Sequence, residues 1–185
     1  MISVFCGSKV NAAEAYRRPI RQLFTNVHEL VGDKLHLAYG GGCDGLMKEV
    51  YDVCLQYKIP LTSINCHRWK REEETLLHET VYYSGIIDRQ NHLVQIADAY
   101  VVCPGGVGTL YEMLQVITLN DVKESNKPVF VLNFNNYFMH LFDWMEWARK
   151  CGNITKTNAE LNLHIVDNPT DLAQKIADIV YGDSK

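Results

Sequence analysis

The chain lacks two features that would point to a membrane or to bulk nucleic acid. None of its 185 residues falls in an apolar run near the roughly 18 that a membrane-crossing helix needs. It has no long basic block either: 18 Lys and Arg face 22 Asp and Glu, for a formal net charge of −4. A surface built to coat nucleic acid has no electrostatic basis here, although a small nucleotide is still an open ligand. The opening Met1-Ile2-Ser3-Val4-Phe5-Cys6 has no basic region ahead of a long apolar core, so an unprocessed, soluble, cytoplasmic protein is expected. The six cysteines form no C-x-x-C pair. They are expected to be free thiols rather than a disulfide or zinc framework, with Cys103, beside a glycine-rich stretch, the one open to oxidation. No repeat, low-complexity tract or linker interrupts the chain, so one domain over residues 1–185 is expected.

Short β-rich runs alternate with helical patterns. This predicts repeated βα units: an α/β fold with a Rossmann-like, open, mostly parallel sheet and helices on both faces. Strands are expected at Ile2 to Cys6, Leu35 to Tyr39, Leu61 to Cys66, Ala99 to Cys103, Pro128 to Leu132 and Leu163 to Val166. The helical steps run from Ala12 to Val31, where Pro19 marks either a start or a kink, and from Asp44 to Tyr57. Further helices are expected at Asn91 to Ala97, from Leu110 through Ile117, at Tyr137 to Ala148, and from Pro169 to Val180. Tyr82 to Ile87 is ambiguous, and Lys70 to Glu74 is expected to be the solvated start of a helix or a loop.

Two strand-to-helix junctions are rich in glycine: Tyr39-Gly40-Gly41-Gly42-Cys43-Asp44-Gly45-Leu46-Met47 and Pro104-Gly105-Gly106-Val107-Gly108-Thr109. Glycines there leave amide N–H groups uncovered, and the following helix aims its positive end at the loop, which suits a phosphate. Neither junction has the G-K-[ST] of a Walker loop or the G-x-G-x-x-G of a dinucleotide site, which disfavours a nucleoside triphosphatase or a dehydrogenase. Gly41, Gly42, Gly105, Gly106 and Gly108 are the candidate phosphate-binding glycines. Thr109 either donates its hydroxyl to the phosphate or caps the helix. Glu112 stands three residues after Thr109, the T-x-x-E spacing of a capping box, and is otherwise free for chemistry.

The run Pro104-Gly105-Gly106-Val107-Gly108-Thr109-Leu110-Tyr111-Glu112 resembles the PGGxGTxxE motif of the LOG family, cytokinin-activating phosphoribohydrolases once misnamed lysine decarboxylases. Val4 to Ser8, Tyr39 to Gly42 with Gly45 to Met47, Ala97 to Ala99, and Lys127 to Val129 with Leu132, Asn133 and Tyr137 are similar to further family segments. The resemblance implies cleavage of the N-glycosidic bond of a nucleoside 5'-monophosphate, with Glu112 and Arg89 catalytic and with Gln90 and Ser8 among the substrate-binding residues. A carboxylate suits that chemistry because positive charge builds on C1' and the ring oxygen. Arginine's planar fork suits a phosphate; the alternative for Arg89, which composition alone does not exclude, is a surface arginine in a salt bridge.

Several positions depart from the family pattern: its Lys is Gln90, its His is replaced around Ile87-Asp88, a Gly is Lys48, and the first of two paired glutamates is Tyr111. The segment after the third strand reads His67-Arg68-Trp69, where a base can stack or a tryptophan can simply pack. Asp44 is either a ribose contact or a helix cap, and His92 is a ligand or a helix-face residue. No cofactor and no metal are expected, since no lysine sits in a recognisable pyridoxal-phosphate setting. The resemblance also implies a homodimer, and the aromatic run Tyr137, Phe138, Phe142, Trp144 and Trp147 is expected in the core or at that interface. The alternative to an enzyme is a nucleotide-binding module that keeps the pocket without the hydrolysis.

Overall fold

A computed structural model describes residues 1–11, 14–70 and 79–182. Seven strands form one sheet in the order β4-β3-β2-β1-β5-β6-β7, and every pairing is parallel. The strands are β1 (Ile2–Phe5), β2 (Leu37–Tyr39), β3 (Leu61–Cys66), β4 (Glu79–Tyr83), β5 (Ala99–Val102), β6 (Val129–Leu132) and β7 (Leu163–Val166). The helices are α1 (Arg17–Val31), α2 (Met47–Tyr57), α3 (Ile86–Gln95), α4 (Val107–Asp121), α5 (Met139–Lys150) and α6 (Pro169–Ile176).

Residues alternate between the two faces of β1. Ile2 and Val4 join one core with Ile20, Leu23 and Phe24 of α1, Val50 and Val53 of α2, and Leu172 of α6. Phe5 joins the other with Leu93 of α3, Met113 and Val116 of α4, and Phe138 and Met145. Helices thus cover both faces, and a sheet buried on both sides explains the unbroken apolar runs of its central strands. Burying a side chain such as Leu23 contributes about 1.5–3 kcal/mol.

The fold class expected from the alternation is the one observed, while several bounds differ. Strand β2 is shorter than expected because Leu35 belongs to the turn leaving Gly32–Lys34. Helix α1 begins at Arg17, so Pro19 is its third residue, where a missing N–H costs no helical bond. Ala12 and Ala13 lie outside the described residues, as do residues 71–74 of the charged stretch. The ambiguous Tyr82 to Ile87 divides between the end of β4 and the start of α3. Helix α3 therefore starts five residues earlier than the expected Asn91 and carries Arg89 in its first turns.

Candidate active site

The chain builds β1 to β4 outward in one direction, then returns through α3 to place β5 on the other side of β1. The crevice at the carboxyl ends of β1 and β5 is therefore the topological switch point, the place where open α/β sheets hold their ligands. A cavity of about 1100 Å³ opens there, lined by both glycine-rich loops and by the turns that follow β1 and β3.

Gly7, just past β1, ties these loops together. Its N–H donates to Pro104 O at 3.0 Å, and its carbonyl accepts from Leu46 N at 2.8 Å and Met47 N at 3.1 Å. The first amides of α2 are thus directed at Gly7. The first N–H groups of α4 have no such partner inside their own helix and face the loop before it.

The glycines of the two loops have different physical reasons to be glycine. A Cβ at Gly40 would collide with Arg89 Nη2; one at Gly41, where φ is +77°, would lie 2.8 Å from Asn65 Nδ2; one at Gly42 would lie 2.7 Å from Met47 Sδ. In the second loop Gly105 is equally tight, with Thr109 Oγ1 and Gly7 N against it. Gly106 and Gly108 have nothing within 4 Å of an added Cβ, and neither has a positive φ. The fold alone gives no reason for glycine at these two positions, which keep open space above the start of α4.

On the cavity floor lies a buried ion pair. Arg89 on α3 and Glu112 on α4 are 5% and 7% exposed, with Arg89 Nη1 2.8 Å from Glu112 Oε1. Arg89 Nη1 also donates to Gln90 Oε1 at 3.0 Å, and Nε donates to Ile64 O of β3 at 2.8 Å. Burial pushes the Glu112 carboxyl above its ordinary value, while the charge and hydrogen bond of Arg89 pull it back down. A buried pair of this kind gives little net stability, because both charges have been stripped of water. Both members of the pair line the cavity.

The predicted residues divide accordingly. Arg89, Glu112, Gln90, Ser8, Thr109 and the five candidate glycines all line the one cavity. Thr109 does not cap α4, because Gly106 is the N-cap and Thr109 is the third helical residue. Glu112 consequently falls in the second turn, bonded to Arg89, and forms no capping box. Arg89 is not a surface arginine. Gln90 is buried, its Oε1 on Arg89 and its Nε2 without a hydrogen-bond partner.

Asp44 lines the cavity, and Leu46 is the N-cap of α2. Lys48 pairs with Asp52 one turn along α2, at 2.7 Å, and His92 meets the Tyr83 hydroxyl at 2.8 Å. Cys103 is fully buried, and burial pushes its thiol far up, away from the reactive thiolate; the expectation that it is open to oxidation is not met.

Three contributors were not foreseen. Gly40 makes room for the Arg89 guanidinium. Asn65, buried beneath Gly41, donates to its carbonyl at 3.3 Å and accepts from Cys66 N at 2.8 Å. Tyr137 donates its hydroxyl to Gly105 O at 2.7 Å and stands edge-on to Tyr16, so it braces the second loop. Its neighbour Phe138 is core, whereas Trp144 and Trp147 are exposed, so the aromatic run has no single role. Among the described residues no cluster of three or more His, Cys, Asp or Glu could hold a metal, and no helix is long and apolar enough to cross a membrane.

A doubly wound parallel sheet with its cavity at the switch point, floored by a buried Arg–Glu pair, defines a Rossmann-type α/β protein. Comparison with known proteins narrows the class. Residues 47–176 match the family described as "Possible lysine decarboxylase". Over 183 residues the chain is 30% identical to a cytokinin riboside 5'-monophosphate phosphoribohydrolase of Arabidopsis thaliana, spanning 97% of this chain and 83% of that one. It is 28% identical over 158 residues to a protein of the same name from Rhodococcoides fascians, spanning 83% and 78% of the two chains. The chain belongs to this family, the LOG family.

Among solved structures, the molybdenum cofactor carrier protein of Chlamydomonas reinhardtii superposes with a TM-score of 0.69 at 14% identity, over 97% of this chain and 96% of that one. The molybdenum cofactor binding protein of Rippkaea orientalis gives 0.67 at 18%, with the same coverage. At such identities the likeness is one of fold.

Proposed function

We propose that the protein hydrolyses the N-glycosidic bond of a nucleoside 5'-monophosphate, a cytokinin riboside monophosphate or an AMP-like nucleotide, giving the free base and ribose 5-phosphate. The observation that carries this reading is the buried Arg89–Glu112 pair beneath a glycine loop whose Gly106 and Gly108 leave unfilled space at the start of α4. The names of the relatives point the same way.

In this reading the phosphate rests on the amides of Gly106, Val107 and Gly108 at the positive end of α4, with Thr109 beside it. The C1'–N bond breaks with its electron pair departing on the base. Glu112 stabilises the cation that forms at C1' and the ring oxygen, then takes the proton of the water that adds to C1'; that proton passes to the departed base, which leaves as the neutral free base with Glu112 ionised again. Arg89 holds Glu112 in place, and its charge and hydrogen bond oppose the upward pull of burial on the carboxyl. Gln90, joined to Arg89, steadies the guanidinium. Gly41 and Gly42 serve the site by seating Asn65 and Met47 and by shaping the wall of the cavity, and Ser8 stands at its edge.

The functional unit in this reading is a homodimer. Val107, Tyr111 and Leu114 form one exposed stripe of α4 at four- and three-residue steps, with exposed Ile87 of α3 as a further apolar residue. Sedimentation equilibrium gives twice the chain mass if a second copy covers this stripe.

Incubating the purified protein with AMP and with an N6-prenylated AMP, then separating the products, tests the activity directly. Free base and ribose 5-phosphate are expected. Binding of both nucleotides with no base released at high enzyme concentration identifies a nucleotide-binding module instead.

A further inference from the structure

Trp69 stands half in solvent at the rim of the cavity, with the guanidinium carbon of Arg68 4.5 Å from its ring centre. Both belong to the single turn His67–Trp69 that leaves the end of β3. The turn is braced from behind: His67 stacks on Tyr82 of β4 at 5.5 Å and 23°, and the Lys70 ammonium lies 5.5 Å from the same ring. An aromatic ring this large is ordinarily sunk into the protein; here it lines a cavity that both glycine loops also line.

The sheet order sets the distance between this wall and the second glycine loop. From β5 to β3 the chain crosses β1 and β2, three strand spacings, or about 14 Å. A phosphate or a sugar phosphate seated on the loop after β5 is too short to meet Trp69. The base of an extended nucleotide, passing over Arg89 and Glu112 on the way, is the part that reaches it. Arg89 itself spans this path, since its Nε is bonded to Ile64 of β3 and its Nη1 to Glu112 of α4.

We propose that Trp69, backed by Arg68, is the platform on which the nucleotide base stacks. This assignment rests on the phosphoribohydrolase reading and adds the base end to it. Stacking uses the π-face that every base presents, so the platform selects for a planar aromatic group and discriminates weakly among base edges. The Arg68 guanidinium, 4.5 Å from the indole centre and lining the same cavity, makes a cation–π contact that fixes the ring.

The test is calorimetric titration of AMP and of ribose 5-phosphate into the full chain, its Trp69→Ala variant and its Trp69→Phe variant, each first shown to melt at the same temperature. The AMP Kd is expected to rise roughly ten-fold or more in the Ala variant and less in the Phe variant. The Kd for ribose 5-phosphate is expected to be the same in all three. Equal AMP affinity in the parent and the Ala variant overturns the platform, as does a shift of oligomeric state with AMP binding intact. Equal weakening of both ligands overturns it too, because Trp69 then supports the loop and not the base. If AMP binding depends on Trp69 while no base is ever released, the platform stands and the hydrolase reading falls; a parent that binds neither ligand overturns both.

Discussion

A side chain added at Gly40, Gly41 or Gly42 would meet Arg89, Asn65 or Met47, whereas one added at Gly106 or Gly108 would meet nothing. The loop after β2 and the loop after β5 are both rich in glycine, and both run from a strand into a helix. In the first loop, glycine lets other parts of the protein come close. In the second, two of the glycines keep the protein away from a volume at the end of a helix. The helix starts differ in the same sense, since the first amides of α2 are spent on Gly7 O, while those of α4 have only the loop and the cavity before them. A glycine-rich loop therefore shows where backbone is crowded or where space is kept, and the neighbours of each missing Cβ decide which.

The largest effect expected falls where the two loops converge. Glu112→Gln removes the carboxylate assigned to C1' in the proposed reaction and is expected to lower kcat by roughly 10²- to 10⁴-fold with nucleotide binding retained. The parent's pH profile sharpens the same point. Burial raises the Glu112 pKa, so as pH falls Glu112 takes up a proton, and its stabilising charge is lost at a higher pH than for an exposed carboxylate near 4.5. The acid limb of kcat/KM is expected above that value, and a limb at the ordinary carboxylate position removes Glu112 from the mechanism.

Next comes Gly40→Ala. Arg89 is pinned by Ile64, Gln90 and Glu112 and cannot swing aside freely, so the added methyl either ejects the guanidinium or strains the loop. A loss of about 1–3 kcal/mol of stability, with a parallel fall in turnover, is expected by denaturant melts and product assay. Smallest in its effect on the fold is Gly108→Ala. With open space and no positive φ, it is expected to hold or gain up to about 1 kcal/mol of stability. Its KM is expected to rise several-fold as the methyl intrudes on the phosphate. A Gly108→Ala variant as unstable as Gly40→Ala would erase the distinction between the loops.

The sheet, its parallel sense and the pairing of glycine loops with helices were legible because apolar periodicity and glycine placement are local properties of the chain. The order of Arg89 and Glu112 along the sequence was legible only through the family motif. Their contact across 23 positions was not, because nothing local reports which helices meet at a switch point. The seat of Arg89 under Gly40 and the hold of Tyr137 on Gly105 were hidden for the same reason, since each joins segments more than 30 residues apart. Thr109 and Glu112 match a capping box in spacing, but the helix begins at Val107, three residues too early for that motif to form. Cys103 illustrates the opposite limit: its neighbours in sequence are a glycine loop, while its neighbours in space bury it completely.

The crossover α3, β5 and α4 form one contiguous stretch from Ile86 to Asp121, and it contains both members of the ion pair and the loop above them. The Trp69 wall comes from elsewhere, at the end of a strand three places away in the sheet. The ion pair proposed to break the bond and the ring proposed to face the base therefore come from separate segments of the chain. Residues 67–70 can be exchanged for another four, with a different set of rings and charges, and the ion pair between α3 and α4 keeps every one of its side-chain hydrogen bonds.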